Sequence, residues 1–149
     1  MDLMIDWVTC SVPFYHTVPI NGGVRTDTDE NGEILFESGK WKKFQGSYES
    51  TIQIKTRSLN DGVCPGELII SGNPVKFFQG HNLFGSNDLT SLIYEVVNTL
   101  SLSLEIPQPV ALLDAILRGA VDISRIDING MYDFGTQDNA FSFLHDVQA

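Results

Sequence analysis

Apolar and polar positions alternate from Met4 to Phe14, with Ile5, Trp7, Val8 and Val12 supplying β-forming side chains, so this stretch predicts a strand that ends at Pro13 or soon after. Glu33 to Glu37 predicts a short strand turned by Ser38-Gly39, and Ser47 to Arg57 a longer one, with Tyr48, Ile52 and Ile54 marking the period of two. Between them, Asn21-Gly22-Gly23 and the acidic stretch Asp27 to Gly32 read as loop, as do Asn60-Asp61-Gly62 and Pro65-Gly66 further on. Glu67 to Ile70 and Val75 to Gly80 then read as two strands of a hairpin, joined across Ser71-Gly72-Asn73-Pro74 by the chemistry of a tight turn.

Beyond that point the period changes from two to 3.6. Leu89, Leu92, Ile93, Val96, Val97 and Leu100 fall on one face of a helix, which Ser86 or Asn87 would cap and whose first turn holds Asp88, where the helix dipole favours a negative charge. Pro107 and Pro109 open a second helix with Val110, Leu113, Ile116 and Leu117 as its apolar positions and Gly119 at its end. Val121 to Phe134 is strand again, and Thr136 caps a last helix carrying Ala140, Phe143, Leu144 and Val147. Many strands, two helices, one strand and one helix make an α+β protein: an antiparallel sheet with helices packed on one face. At 149 residues the expectation is a single domain over 1–149, with 42% hydrophobic residues to fill its core.

Charge complicates any functional reading. The net charge is −10, whereas a protein that grips phosphates gains affinity through Lys and Arg. The cations are unevenly spread: Lys40, Lys42, Lys43, Lys55 and Arg57 cluster in the middle and Lys76 follows, while only Arg118 and Arg125 lie beyond residue 77. A nucleic acid would therefore have to meet the central hairpins, and a solvated edge strand decorated with Lys explains the same cluster. No apolar run approaches the roughly 20 residues that span a bilayer. The N-terminus has two acids and no basic segment of a signal peptide, so the expected location is the cytoplasm. Cys10 and Cys64 show no paired-ligand spacing and read as buried free thiols.

Three segments hold polar residues that a strand pattern does not demand. If Val75 to Gly85 is extended, Gln79 and His81 point to one face and can grip a divalent cation together; a satisfied turn at a strand end accounts for the pair as well. Along Ile123 to Asn129 the alternation places Arg125, Asp127 and Asn129 opposite Ile126 and Ile128. Asp127 then either pairs with Arg125 or supplies the carboxylate that completes a site with Gln79 and His81, a donor set suited to Mg²⁺ or Mn²⁺. His16, near a strand end, has a structural or exposed role as its expectation.

The run Pro74 to Leu89, PVKFFQGHNLFGSNDL, with ISRIDINGMYDFG over Ile123 to Gly135 and the opening MIDWVTCSVPF over Met4 to Phe14, resembles the replication initiators of filamentous phages, the gene II protein family, and their plasmid relatives. The resemblance covers nearly the whole chain. It implies an N-terminal part of an initiator that nicks one strand at a rolling-circle origin, with a tyrosine joined to the 5′ phosphate. It also implies a fold related to the His-hydrophobe-His nickases, with Gln79 standing in the first histidine's place, Gln79, His81 and Asp127 around Mg²⁺ or Mn²⁺, and Arg125 or Lys76 on phosphate. The partners implied are replicon origin DNA, double- and single-stranded, the full-length initiator and host replication proteins, with no membrane, in the cytoplasm of a bacterial host. Lys42, Lys43, Lys55, Arg57, Lys76 and Arg125 are the candidate DNA contacts.

The family's nucleophile sits in a downstream Tyr-x-x-Lys context, and none of Tyr15, Tyr48, Tyr94 and Tyr132 is followed three residues later by Lys. No catalytic tyrosine is therefore assigned here; the resemblance puts it downstream of residue 149. Three expectations follow: a fragment that folds without cutting, a regulatory short form that binds the origin, or a non-catalytic acidic protein that imitates DNA and occupies a basic partner such as a host nuclease.

Overall fold

The structure, a computed structural model, describes residues 2–62, 64–80 and 87–148. Its strands are β1 (Asp2–Pro13), β2 (Val24–Thr28), β3 (Ile34–Gly39), β4 (Lys42–Gln45), β5 (Thr51–Ser58), β6 (Glu67–Gly72) and β7 (Asp122–Met131). Its helices are α1 (Pro74–Gln79), α2 (Leu89–Leu104), α3 (Val110–Leu117) and α4 (Gln137–Gln148), with a 3₁₀ turn at Ser47–Glu49. Five strands form one sheet in the order β4-β5-β6-β1-β7, antiparallel at every pairing, and β2-β3 is a separate hairpin.

The period of two on β1 explains how the sheet acquires two unlike faces. Val8, Cys10 and Val12 are buried on one side and face, through the register, Gly72, Ile70 and Leu68 of β6. Ile52 and Ile54 of β5 extend the same layer, and Phe77, Ile93, Val96, Val97, Leu100, Leu112 and Ile116 close it from α1, α2 and α3. The α+β architecture with helices on one face is thus the observed one. On the other side lie Trp7, Thr9, Gln53, Lys55, Ile69 and Ser71, none of them fully buried.

Local signals place most elements. Asp88 is the N-cap of α2, its carboxylate accepting from the Ser91 amide at 3.2 Å; hydrogen bonds from the Ser91 side chain and amide hold its pKa below the ordinary carboxylate value. The cap therefore falls one residue past Asn87, and Ser86 lies outside the described residues. Thr136 caps α4 as its position predicts, accepting from the Asn139 amide at 3.3 Å. Pro109 starts α3, and Gly119 follows it with φ 100°, a conformation that favours glycine. Two short elements, β2 and β4, escape the hydrophobic pattern, and Ser47–Glu49 turns before β5 begins.

Two expectations are overturned, the second strand of the hairpin and the burial of Cys64. Val75 to Gly80 is not a strand: Pro74–Gln79 is a helix. The Asn73 side chain accepts from the Lys76 amide at 2.9 Å, Pro74 occupies the first turn, and Gly80 closes the helix at φ 78° with its amide on the Lys76 carbonyl at 2.7 Å. Asn-Pro serves a helix start as well as a turn, and the buried Pro74, Val75 and Phe77 on its inner side prefer the helical solution. Cys10 is buried and its thiol pKa is pushed up to about 12, first by burial and then by the Asp122 charge, whereas Cys64 is free but exposed. No helix among the described residues is long and apolar enough to cross a membrane.

Candidate nucleic-acid interface

The segment read as a metal-binding strand is instead the tail of α1, and its end is tightly held. Ser47 Oγ donates to the Phe78 carbonyl at 2.8 Å, which the last turn of a short helix leaves open, and Ser50 Oγ adds a second donor to the Lys76 carbonyl at 2.9 Å. Gly46 packs so closely on Phe77 that a Cβ there would collide with the Phe77 carbonyl oxygen. Tyr48, in the left-handed region at φ 50°, lays its ring against Gly80 in the same way. Gln79 is exposed at this anchored end. The alternation argument that set Gln79 and His81 on one face does not apply to a helix, whose successive side chains turn by about 100°. His81 lies outside the described residues, so its distance from Gln79 is not part of the structure.

Asp127 is on β7, opposite Trp7 of β1. Both of its oxygens are engaged by Arg125, at 3.1 Å from Nε and 2.6 Å from a terminal guanidinium nitrogen. This forked pair holds the Asp127 carboxyl below its usual pKa and raises that of the guanidinium. Of the two arrangements open to Asp127, the structure contains the Arg125 pair; a cation on Asp127 would have to compete with it. No cluster of three or more His, Cys, Asp or Glu suited to a metal occurs among the described residues.

Sheet register sorts the six basic candidates. Lys43 pairs with Gln53, Gln53 with Ser71, Ser71 with Thr9, and Thr9 with Arg125, so one polar row crosses all five strands on the face away from α1, α2 and α3. Lys55 and Arg57 belong to the same face. Arg57 reaches Glu67 at 3.6 Å and Asp122 at 3.4 Å, bridging from β5 over β6 and β1 to β7. Lys42, opposite the buried Ile54, is on the helix side of the edge strand, and Lys76 is exposed on α1. The structure thus brings together Lys43, Lys55, Arg57 and Arg125 and separates Lys42 and Lys76 from them.

Two residues that charge and motif did not single out complete this face. The Arg125 guanidinium lies 5.7 Å from the Trp7 ring centre, and the Lys55 ammonium 4.6 Å from that of Trp41. Both are cation–π distances. The signal was available in β1, where Trp7, Thr9 and Ser11 alternate with Val8, Cys10 and Val12. His16 is structural: buried, with Nδ1 2.7 Å from the Phe14 carbonyl and Nε2 2.9 Å from the Thr56 hydroxyl, which in turn accepts from the Ile20 amide.

An antiparallel sheet backed by α1, α2 and α3, with a polar and partly cationic opposite face, defines an α+β domain. The profile of the family described as the N-terminal region of the gene II replication-associated protein matches residues 4–149, and the chain belongs to that family. It is 33% identical over 142 residues to the gene II replication-associated protein of Enterobacteria phage I2-2, an alignment covering 95% of this chain and 41% of that protein. The chain therefore spans about two-fifths of the length of the curated relative it matches. No solved structure matches it, so the likeness to the His-hydrophobe-His nickases has no structural counterpart here.

Proposed function

We propose that this chain is the origin-engaging N-terminal domain of a rolling-circle replication initiator, and that it supports metal-dependent nicking of one strand with a tyrosine supplied from outside these residues. The observation that carries the reading is family membership over residues 4–149, together with the Gln79-Gly80-His81-Asn82 run within it. The partner is replicon origin DNA; the full-length initiator and host replication proteins are further partners on the same reading.

The chemistry asks for a cation to offset charge on the scissile phosphate, in-line attack by a tyrosine, and cations to hold the flanking backbone. Gln79, the last residue of α1, and His81 are the proposed ligands of Mg²⁺ or Mn²⁺; Asp127, paired with Arg125 on the sheet face away from α1, is the proposed third, freed when Arg125 transfers to phosphate. That exchange keeps both charges paired throughout.

The test is a supercoiled plasmid bearing the cognate origin, incubated with Mn²⁺ and the chain, alone and with a tyrosine-bearing C-terminal segment of a family member. His81→Ala and Asp127→Ala run alongside. Nicking lost in both variants supports the reading, and nicking indifferent to both rejects the metal assignment. The net charge of −10 favours a second reading, an acidic decoy for a basic protein such as a nuclease. It predicts nuclease binding that weakens with salt and ignores His81→Ala.

A further inference from the structure

The helix-free face differs from the rest of the molecule in charge. It carries Lys43, Lys55, Arg57 and Arg125 against Glu67, Asp122 and Asp127, while the whole chain stands at −10. Arg57 and Arg125 are committed to acids, but no acid pairs with Lys43 or Lys55 among the described residues. The floor between them is made of hydroxyls and an amide: Gln53, Ser71 and Thr9, the last two bonded to each other at 2.8 Å. Trp7 and Trp41, the only two tryptophans in the chain, both stand on this face, each with a cation over its ring.

We propose that this face is a stacking platform for single-stranded DNA, with Trp7 and Trp41 each taking one base. The proposal rests on the origin-DNA reading and adds to it the face that holds the single strand and the two side chains that stack on its bases. Trp41 immediately precedes β4 and sits under Lys55, whose row continues through Ile69 and Ser11, whereas Trp7 is on β1, four residues from Ser11. Three strand spacings across and four residues along put the rings about 20 Å apart on the diagonal. That span suits a strand of several nucleotides, within the roughly 4–16 that single-strand-binding folds occupy.

A sheet face takes a single strand because every base has a π-face, and aromatic stacking needs no pairing edge. A duplex hides those faces. When a base stacks, Lys55 leaves the Trp41 ring for the neighbouring phosphate, and Arg125 does the same at Trp7, so each cation keeps a partner. A protein partner would call for a broad apolar patch; between the two tryptophans the described residues of this face are Lys55, Gln53, Ser71, Thr9 and Ser11, with Ile69 half-buried among them.

Because both tryptophans are on the platform, intrinsic fluorescence reports on it directly. The chain is titrated with a dT12 strand in EDTA, then with a 12-base-pair duplex and with rU12; a fluorescein-labelled dT12 provides anisotropy for the variants. Expected are quenching by dT12, weaker binding of the duplex and of RNA, and a loss of about five- to a hundredfold in affinity for Trp7→Ala and for Trp41→Ala. Trp→Phe at either position retains most of the affinity, as does Leu117→Ala on α3. Should an alanine variant fail to fold, Lys55→Gln with the Phe variants decides, since the former weakens binding and the latter keep it. No quenching, or equal or tighter binding of duplex or RNA, overturns the proposal. Loss of dT12 binding with His81-dependent nicking intact counts against the platform alone; intact dT12 binding without nicking counts against the metal reading alone.

Discussion

The two faces of the five-stranded sheet come from the same strands, yet they are built for different purposes. Against the helices, Val8, Cys10, Val12, Ile52, Ile54, Leu68 and Ile70 have given up nearly all contact with water. One residue along the chain in each case, Thr9, Gln53, Lys55, Ile69 and Ser71 remain accessible. Burial decides the first set, because a changed volume there leaves a void or a clash. Nothing in packing requires two tryptophans, each beneath a cation, in the second. The face that is dispensable for the core is the one proposed to meet DNA.

Substitutions can break that contrast. The largest effect is expected from Leu68→Ala or Ile54→Ala, both fully buried, which should lower the unfolding free energy by about 2–5 kcal/mol in a urea titration. Trp7→Ala, one residue from the buried Val8, should cost far less stability in the same titration while removing most single-strand binding. If Trp7→Ala proves as destabilising as Leu68→Ala, the division between the faces fails. Asn73→Ala, which removes the cap of α1, should cost about 0.5–2 kcal/mol and loosen the Gln79 end of the helix, read as faster amide exchange at Lys76 and Phe77.

Smaller effects sharpen the contrast. The single-strand affinity should fall with salt along a logarithmic slope of about −2.1, since Lys43, Lys55 and Arg125 meet phosphates at about 0.7 each. The smallest effect concerns Asp127. Its carboxyl is held below the ordinary value in the folded chain, so the pair with Arg125 stabilises the fold above the unfolded carboxylate pKa and loses that contribution as pH falls through the folded one. The stability difference between the native chain and Asp127→Asn should accordingly be present at neutral pH and vanish in acid. Both groups are exposed, so the difference is small.

What the sequence disclosed follows from how long each signal runs. β1 and α2 repeat their period often enough to be read, and the buried Ile93, Val96, Val97 and Leu100 are among the residues the 3.6 spacing picks out. α1 has only six residues, too few to show a period, and its Asn-Pro start mimics a turn. β4, four residues long, is hidden for the same reason. The Arg125–Asp127 neighbours are legible from spacing, since alternate strand residues share a face, but which partner Asp127 takes is decided by geometry. Trp7 passes as an ordinary strand former, because a β-former on the open side of a sheet looks, in one dimension, like one on the buried side, and Trp41 stands just before the hidden β4. The QGHNLFG run carries the family resemblance most densely, and its residues from His81 to Gly85 lie outside those described.

Everything proposed for the tryptophans turns on which side of the sheet meets the origin strand. The most direct measurement is photo-crosslinking of a bromodeoxyuridine-substituted origin strand to the chain, followed by peptide mapping of the adducts. Adducts on the peptides that hold Trp7 and Trp41 are the predicted result. Adducts confined to α2, α3 and α4, with those two peptides unmodified, would contradict it.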